Sequence, residues 1–533
     1  MLIDLRSAVE LTETKCEFCI VGAGAAGLQL ARRLARDGRS VCLVESGGLD
    51  FEQATQDLYA GANTGAPYYD LDEARLRFFG GTVAIWGGRC AVLDPIDFER
   101  RPWVAHSGWP ISRSDLDPYY REANTIFEVG EFNYEEDAWA SLGVADPGLS
   151  ASALDVKLWR FDEMTERFTA SRARDLFDAP NVQVLLHANA VTLAATTGGN
   201  AVEELQVATL EGRRIAVRAK HFVLACGAIE NSRLLLASDS VEPNGIGNAH
   251  GNVGRYFMEH PVGRIARIET KEPYRIWALF QKRFMAEGPP LAPALRIADD
   301  AQRRHEILNS VATFKLQRNP KRGVAPGNAI YHKLKHSMSP NRTGRMANHL
   351  YRQIRATFHR SVRNSVERLR ARAGITHLYA NTRSEQAPNP ESRILLSEER
   401  DALGSRRANL CWQMSEIDKR TARVFADLID REFKRLGIGS AVPSEWLTEP
   451  GVRWPVDPTV GNHPIGGYHH MGGTRMSEDP ALGVVDANCR VHGYDNLYMA
   501  GGSIFPTSGW ANPTLTIAAL ALRLGDHLKG LQR

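Results

Sequence analysis

Residues 16–45 read CEFCIVGAGAAGLQLARRLARDGRSVCLVE, and no other stretch restricts the fold as strongly. An apolar run leads into Gly22, Gly24 and Gly27, a helical pattern follows, and a second apolar run ends in the acid Glu45. That order predicts strand, tight turn, helix and parallel strand. The glycines have distinct mechanical roles, since Gly22 makes the turn, Gly24 lets backbone approach a pyrophosphate, and Gly27 lets the helix pack closely on the strand. The helix presents unpaired N–H groups and the positive end of its dipole to phosphates. Glu45, 18 residues beyond Gly27, ends the second strand where a carboxylate accepts from ribose hydroxyls. Dinucleotide binding is the prediction. Cys16 and Cys19 form a CxxC on the entering strand rather than at a helix N-terminus, and no second cysteine pair completes a zinc site, so both read as small buried apolar residues. No metal is expected.

Composition narrows the class. With 533 residues, 43% hydrophobic and a net charge of +3, the chain is neither disordered nor fibrous. Seven cysteines, an odd count, are no disulfide framework and point to a reducing compartment. The opening MLIDLRSAVELTETKCEF holds acids and no apolar core of a signal, and no run reaches spanning length. The expectation is a soluble, cytoplasmic enzyme.

Residues 77–90, RFFGGTVAIWGGRC, carry two glycine pairs, which suits backbone pressed against a flat ligand or phosphate. Residues 181–191 and 221–229 read as strands, with a polar hairpin region around Gly198 and Gly199 between them, and a helix follows at IENSRLLLAS. Sheet elements therefore recur far beyond residue 45, which predicts an interrupted nucleotide domain. From 315 to 372 the chain holds fifteen Lys or Arg and one acid, Glu367. Within it Leu350, Ile354, Phe358, Val362, Val366 and Leu369 form one apolar stripe on a basic helix over 343–372. The stripe docks that helix on its own domain, or the basic faces attract an acidic protein partner, an anionic substrate or a membrane surface. Nucleic acid is not expected, since no recognition module accompanies the charge.

The C-terminal 75 residues contain GGYHHMGGTRM at 466–476 and MAGGSIFPTSGWANPTLTI at 499–517. Adjacent histidines are poorly placed to share one metal ion, and no further ligands are near, so a proton-transfer histidine is the better reading. Asn512, before Pro513 and Thr514, has the look of an N-cap for the helix TLTIAALALRLGDHL, whose positive end would stabilise an anion such as a reduced flavin.

These blocks, taken with SGWPIS and DLDPYY, NVGRYFMEHP and PNPESRILLS, resemble the glucose-methanol-choline (GMC) family of flavoenzymes from about residue 15 to the C-terminus. The wording of the histidine and asparagine blocks is most similar to the pyranose 2-oxidase branch and bacterial sugar-oxidising relatives. The resemblance implies an α/β, Rossmann-like FAD-binding domain and an α+β substrate domain whose antiparallel sheet roofs the flavin. In this chain that assigns 1–262 and 461–533 to the FAD domain, with insertions between about 51 and 180, and 263–460 to the substrate domain.

The resemblance also implies site residues. His470 matches the active-site histidine and Asn512 its partner, with His469 ranked a neighbour. Gly22, Gly24, Ala25, Ala26, Gly27, Glu45 and Ser46 match the ADP-binding turn. Val191 matches the strand residue whose backbone meets adenine, and Ala225, Cys226, Gly227 and Asn231 match the strand end and helix start beside it. Gly81, Thr82, Trp86, Gly87, Arg89, Cys90 and Ala91 match the flavin-wrapping segment. Gly501, Gly502, Asn512 and Thr514 match contacts near the pyrophosphate and pyrimidine ring. Where some relatives tether flavin through a histidine before the tryptophan, this chain has Ile85, so the FAD is expected to be non-covalent.

The expected reaction is oxidation of an alcohol, foremost a sugar or glycoside hydroxyl. His470 takes the proton, Asn512 holds the hydroxyl, and oxygen or another acceptor reoxidises the flavin. Two alternatives stand beside it: a flavin subunit docked to a membrane or protein and acting on a non-sugar alcohol, and a non-redox lyase.

Overall fold

In the strand Glu13–Val21 an apolar C-terminal half is buried on both faces, as parallel strands covered by helices require. It pairs in parallel with Val41–Val44 on one side and Arg214–Leu224 on the other. The computed structural model describes residues 1–134, 137–164, 166–317, 340–347, 350, 354, 364–458, 460 and 464–531. Further parallel strands, Val182–Leu186 and then Leu2–Asp4, extend the sheet on the first side, and Leu497–Met499 joins Arg214–Leu224 from the far end of the sequence. A hairpin of Asn189–Ala195 and Val202–Ala208 completes eight strands. The segment read as one strand over 181–191 is in fact two, broken at His187, whose φ is 54°. The strand expected at 221–229 starts earlier, ends at Leu224, and gives way to the helix Ala228–Ala237.

Helices Ala25–Arg36, Arg113–Ile126 and Thr514–Lys529 pack together, the first of them lying on this sheet. Gly525 permits the close crossing: a Cβ there would lie 2.7 Å from Arg33 Cγ. Arg33 then bonds Asp526 at 2.5 Å and Glu122 at 2.7 Å, which ties the three helices at one point.

The second sheet has seven antiparallel strands, ordered Ser440–Pro443, Val262–Glu269, His377–Ser384, Ser310–Gln317, Leu291–Ile297, Leu154–Phe161 and Arg89–Cys90. The helix Glu416–Arg435 packs on it through a stripe that includes Phe425, Leu428, Ile429 and Phe433. Three buried polar links fasten the two halves. Arg101 bonds Glu385 at 2.8 Å with neither side chain exposed. Asp94 accepts from Arg296 at 3.1 Å and from Trp510 Nε1 at 2.7 Å. Burial alone would raise the Asp94 pKa, but Arg296 and Lys157 outweigh it and hold the group at about 2. The loop carrying Trp510 and Asn512 is thus pinned to the antiparallel sheet by a charged hydrogen bond.

Most of the basic segment, including Phe358 and Val362, lies outside the described residues. Of its stripe, Leu350, Ile354 and Leu369 are 58–66% exposed and only Val366 is half-buried, so the described part does not dock as an apolar face. The helix Asn364–Arg372 is described at its end. No helix among the described residues is long and apolar enough to cross a membrane.

Candidate active site

The glycine turn is built as a phosphate cradle. Gly22 holds a φ of 104°, and a Cβ on it would lie 2.7 Å from the Ala225 carbonyl oxygen. A Cβ on Gly27 would come within 1.9 Å of the Gly22 carbonyl oxygen. Gly24 is different: nothing lies within 4 Å of its ideal Cβ position. The helix beginning at Ala25, followed by Ala26, has no side-chain cap and no acid in its first turn. The chain leaves the leading N–H groups to an anion approaching over Gly24, which fits the pyrophosphate of a dinucleotide. Glu45 is buried and accepts from the N–H groups of Ala23 at 3.0 Å and Gly47 at 2.9 Å, so it also locks the turn, with Ser46 beside it.

Val191 falls where the pairing of its strand shifts register, between Ala190 and Thr192, and so has no ladder partner on Val202–Ala208. The irregularity marks a local bulge in the hairpin at this position. Ala225, Cys226 and Gly227 connect strand to helix, and Gly227 takes a φ of 84°. Asn231 differs from expectation: it is fully buried, accepts from Cys226 N at 2.9 Å and donates to Ala500 O at 3.1 Å and Ser503 Oγ at 2.9 Å. It braces this turn against the C-terminal strand, and its amide is used up by the chain.

Gly81 to Ile85 form a short 3-10 turn resting on the cradle, with Gly80 N donating to Ala23 O at 2.9 Å and Thr82 Oγ1 accepting from Leu76 N. Trp86 packs against Phe127 and Phe168, Ile85 and Gly87 are exposed, and Cys90 and Ala91 are buried. The Arg89 guanidinium lies 5.1 Å from the Trp159 ring. Gly501 has a φ of 96°, and a Cβ on Gly502 would lie 2.6 Å from His470 O.

The two histidines point to different partners. His470 Nε2 is 3.0 Å from the Tyr68 hydroxyl, which donates to Glu259 at 2.7 Å. With the phenol proton committed to the carboxylate, the phenol oxygen accepts from His470 Nε2–H. Burial, and then the charge of Arg75, lowers the His470 pKa to about 3. His469 Nε2 instead lies 3.1 Å from Asn512 Nδ2. Arg383, which can only donate, places Nη1 3.1 Å from Asn512 Oδ1 and so fixes which end of the amide faces the imidazole. Asn512 thus meets His469, while His470, the expected proton acceptor, is held behind Tyr68. Nor does the Asn512 side chain cap the helix from Thr514, which has no side-chain cap and no acid in its first turn.

Several residues at the site carry no signal strong enough to single them out in the sequence. Glu259 is fully buried and accepts from the N–H groups of His260, Gly467 and His469 besides Tyr68, while burial raises its pKa. His260, also fully buried, lies 2.8 Å from His469 through Nδ1 of both rings, and its Nε2 is 2.8 Å from Gly509 O. Both residues belong to NVGRYFMEHP, a block that marks the family by its wording and not by its chemistry. Arg383 and Asn381 share one face of the strand His377–Ser384. Asn381 is 3% exposed with neither amide atom bonded, and burial, with Arg89 nearby, lowers the Arg383 pKa to about 9. The alternating polar residues of HLYANTRS were the available signal. All seven cysteines are free, and among the described residues no group of His, Cys, Asp and Glu could hold a metal ion.

Residues 17–245 match the family model described as FAD dependent oxidoreductase, and residues 388–521 the one described as GMC oxidoreductase. The fructose dehydrogenase large subunit of Gluconobacter japonicus is 24% identical, aligned over 96% of this chain and 97% of that one. The 6'''-hydroxyparomomycin C oxidase of Streptomyces lividus is 25% identical over 96% of this chain and 92% of its own. Among solved structures, pyridoxine 4-oxidase from Mesorbium loti superposes with a TM-score of 0.53 at 17% identity, covering 97% of this chain and all of that one. A formate oxidase gives 0.53 at 16%, covering 98% and 99%. The fold is shared along the whole chain, which carries an FAD-dependent oxidoreductase domain over 17–245 and a GMC oxidoreductase domain over 388–521.

Proposed function

We propose that the chain oxidises a CH–OH group of a sugar-like alcohol, with the substrate hydroxyl held between His469 and Asn512. The single observation that carries this reading is the contact of His469 Nε2 with Asn512 Nδ2 at 3.1 Å, backed by Arg383. The amide N–H of Asn512 and the lone pair on His469 Nε2 are bonded to each other, and both become available to a substrate when this bond opens. A hydroxyl entering between them donates its proton to the imidazole and accepts from the amide, which orients its carbon. The flavin, when bound, supplies the two-electron acceptor. His469 accepts the proton as the alcohol is oxidised, and such a base typically contributes about a hundred- to ten-thousandfold. His470, with Nε2–H on Tyr68, shapes the wall beside the pair. Relatives named for fructose, paromamine and hydroxyparomomycin support a polyhydroxylated substrate.

The flavin is held without a covalent bond in this reading, because Ile85 before Trp86 offers no nucleophile. Acid precipitation should release all of it. The deciding experiment for the function is anaerobic: holoenzyme mixed with D-fructose, D-glucose, paromamine or pyridoxine should lose its yellow colour with at least one of them, and a lyase would not.

A second reading concerns the electron acceptor. Met346, Leu350, Ile354 and Leu369 are each 58–66% exposed within a strongly basic segment, and one relative is a large subunit. We infer that this surface serves an acidic acceptor protein or an anionic membrane. Turnover with a protein acceptor should then fall with salt while turnover with a small dye does not.

A further inference from the structure

We propose that His260 is a positioning residue that holds His469 in the one tautomer able to act as a base at Asn512. The inference rests on the reading of His469 as the proton acceptor and adds the residue that makes it one.

The hydrogen-bonded row from Gly509 to Arg383 has fixed polarity at both ends. At one end the Gly509 carbonyl, 2.8 Å from His260 Nε2, can only accept, so that nitrogen carries a proton. The Ser508 carbonyl, at 3.3 Å, asks the same of it. His260 is fully buried, and burial, followed by the positive charge of Arg383, lowers its pKa to about 3, so the ring is neutral. A neutral ring protonated at Nε2 has a bare Nδ1. That atom is 2.8 Å from His469 Nδ1, which must therefore be the donor.

At the other end Arg383 donates to Asn512 Oδ1, and Asn512 Nδ2 turns its proton to His469 Nε2. Both ends ask the same of His469: a proton on Nδ1 and a lone pair on Nε2. This is the minor tautomer of imidazole in water, so a partner is needed to hold it. If the acceptor at 260 is lost, the proton of His469 is free to move to Nε2. There it opposes the amide proton of Asn512, which Arg383 keeps from flipping, and the base is gone. Glu259, the other ionisable side chain at this point, binds the backbone N–H of His469 and leaves the ring to His260.

Two measurements test this. In FAD-loaded wild-type enzyme with 15N-labelled histidine, the resonances that vanish in His469→Gln should show Nδ1 protonated and Nε2 bare. A His469 protonated at Nε2 overturns the proposal, whatever the activity. The second is the limiting rate of anaerobic flavin reduction by the best alcohol of the screen. His260→Leu, which has no acceptor, should lower that rate by about 100-fold or more with little change in the alcohol concentration giving half the rate. His260→Gln, which can accept from His469 through Oε1 and donate to Gly509 through Nε2, should stay within about tenfold of wild type. Leu and Gln variants of equal rate, whether both fast or both dead, overturn it. If His260→Leu does not fold, the tautomer measurement decides alone. A wild type reduced by no alcohol, with the tautomer as stated, removes the functional reading and leaves the positioning role standing.

Discussion

Asn512 bonds His469, the first of two consecutive histidines, while the second, His470, turns to Tyr68. Two consecutive residues, Glu259 and His260, stand behind this division. His260 holds His469 directly, and Glu259 holds His470 through Tyr68. Neighbours in sequence thus do different work.

That division makes the two histidines separable by mutation. His469→Gln should slow anaerobic flavin reduction by about 100- to 10,000-fold, the usual worth of a general base. His470→Gln can still donate to Tyr68 and should cost less than about tenfold. Stopped-flow absorbance of the flavin checks both, and the reverse ranking would restore His470 as the proton acceptor.

Asn512→Asp tests the polarity of the pair. A carboxylate there faces Arg383, draws a proton onto His469 Nε2 and removes the lone pair needed for catalysis. Reduction should fall below about 1% of wild type by the same reckoning. Asn512→Ser retains a donor and should be the milder change.

The glycine turn separates folding from cofactor binding. Gly27→Ala places a carbon 1.9 Å from the Gly22 carbonyl oxygen, so the turn must open and the protein should be destabilised or insoluble. Gly24→Val meets nothing of the chain within 4 Å of its Cβ and intrudes on the cradle alone. Its melting temperature without flavin should match that of wild-type apoprotein, and its flavin content should fall.

Arg101 and Glu385 form an ion pair with neither side chain exposed, and Glu385 also accepts from Asn309 N at 3.0 Å. Removing one member strands a buried charge, which costs about 3–5 kcal/mol. Arg101→Met should lower the melting temperature, and adding Glu385→Leu should recover most of the loss.

The buried histidines make stability depend on pH. His260 and His470 have folded-state pKa values lowered to about 3, against an ordinary 6.5. Between those values the unfolded chain binds protons that the folded chain does not, so stability falls as pH drops from 6.5 toward 3. Melting temperatures of His260→Gln over pH 7 to 4 should decline less steeply than those of wild type.

The glycine turn was legible in the sequence because its constraint is local. Gly27 must clear the Gly22 carbonyl five residues earlier, and a steric contact at that range leaves a fixed spacing, although Gly22 itself also meets the distant Ala225 carbonyl. The same holds for the strand ending at Glu45 and for the C-terminal helix from Thr514, and the parallel sheet could be expected from them. Which histidine faces Asn512 was not legible, because it depends on contacts such as those of His260 with His469 and Arg383 with Asn512, separated by more than one hundred residues. Hydrogen bonds of that kind leave no period or spacing in a sequence. His469 and His470 are adjacent in the chain, and only the packing of the antiparallel sheet against the nucleotide-binding sheet turns one ring to Asn512 and the other to Tyr68.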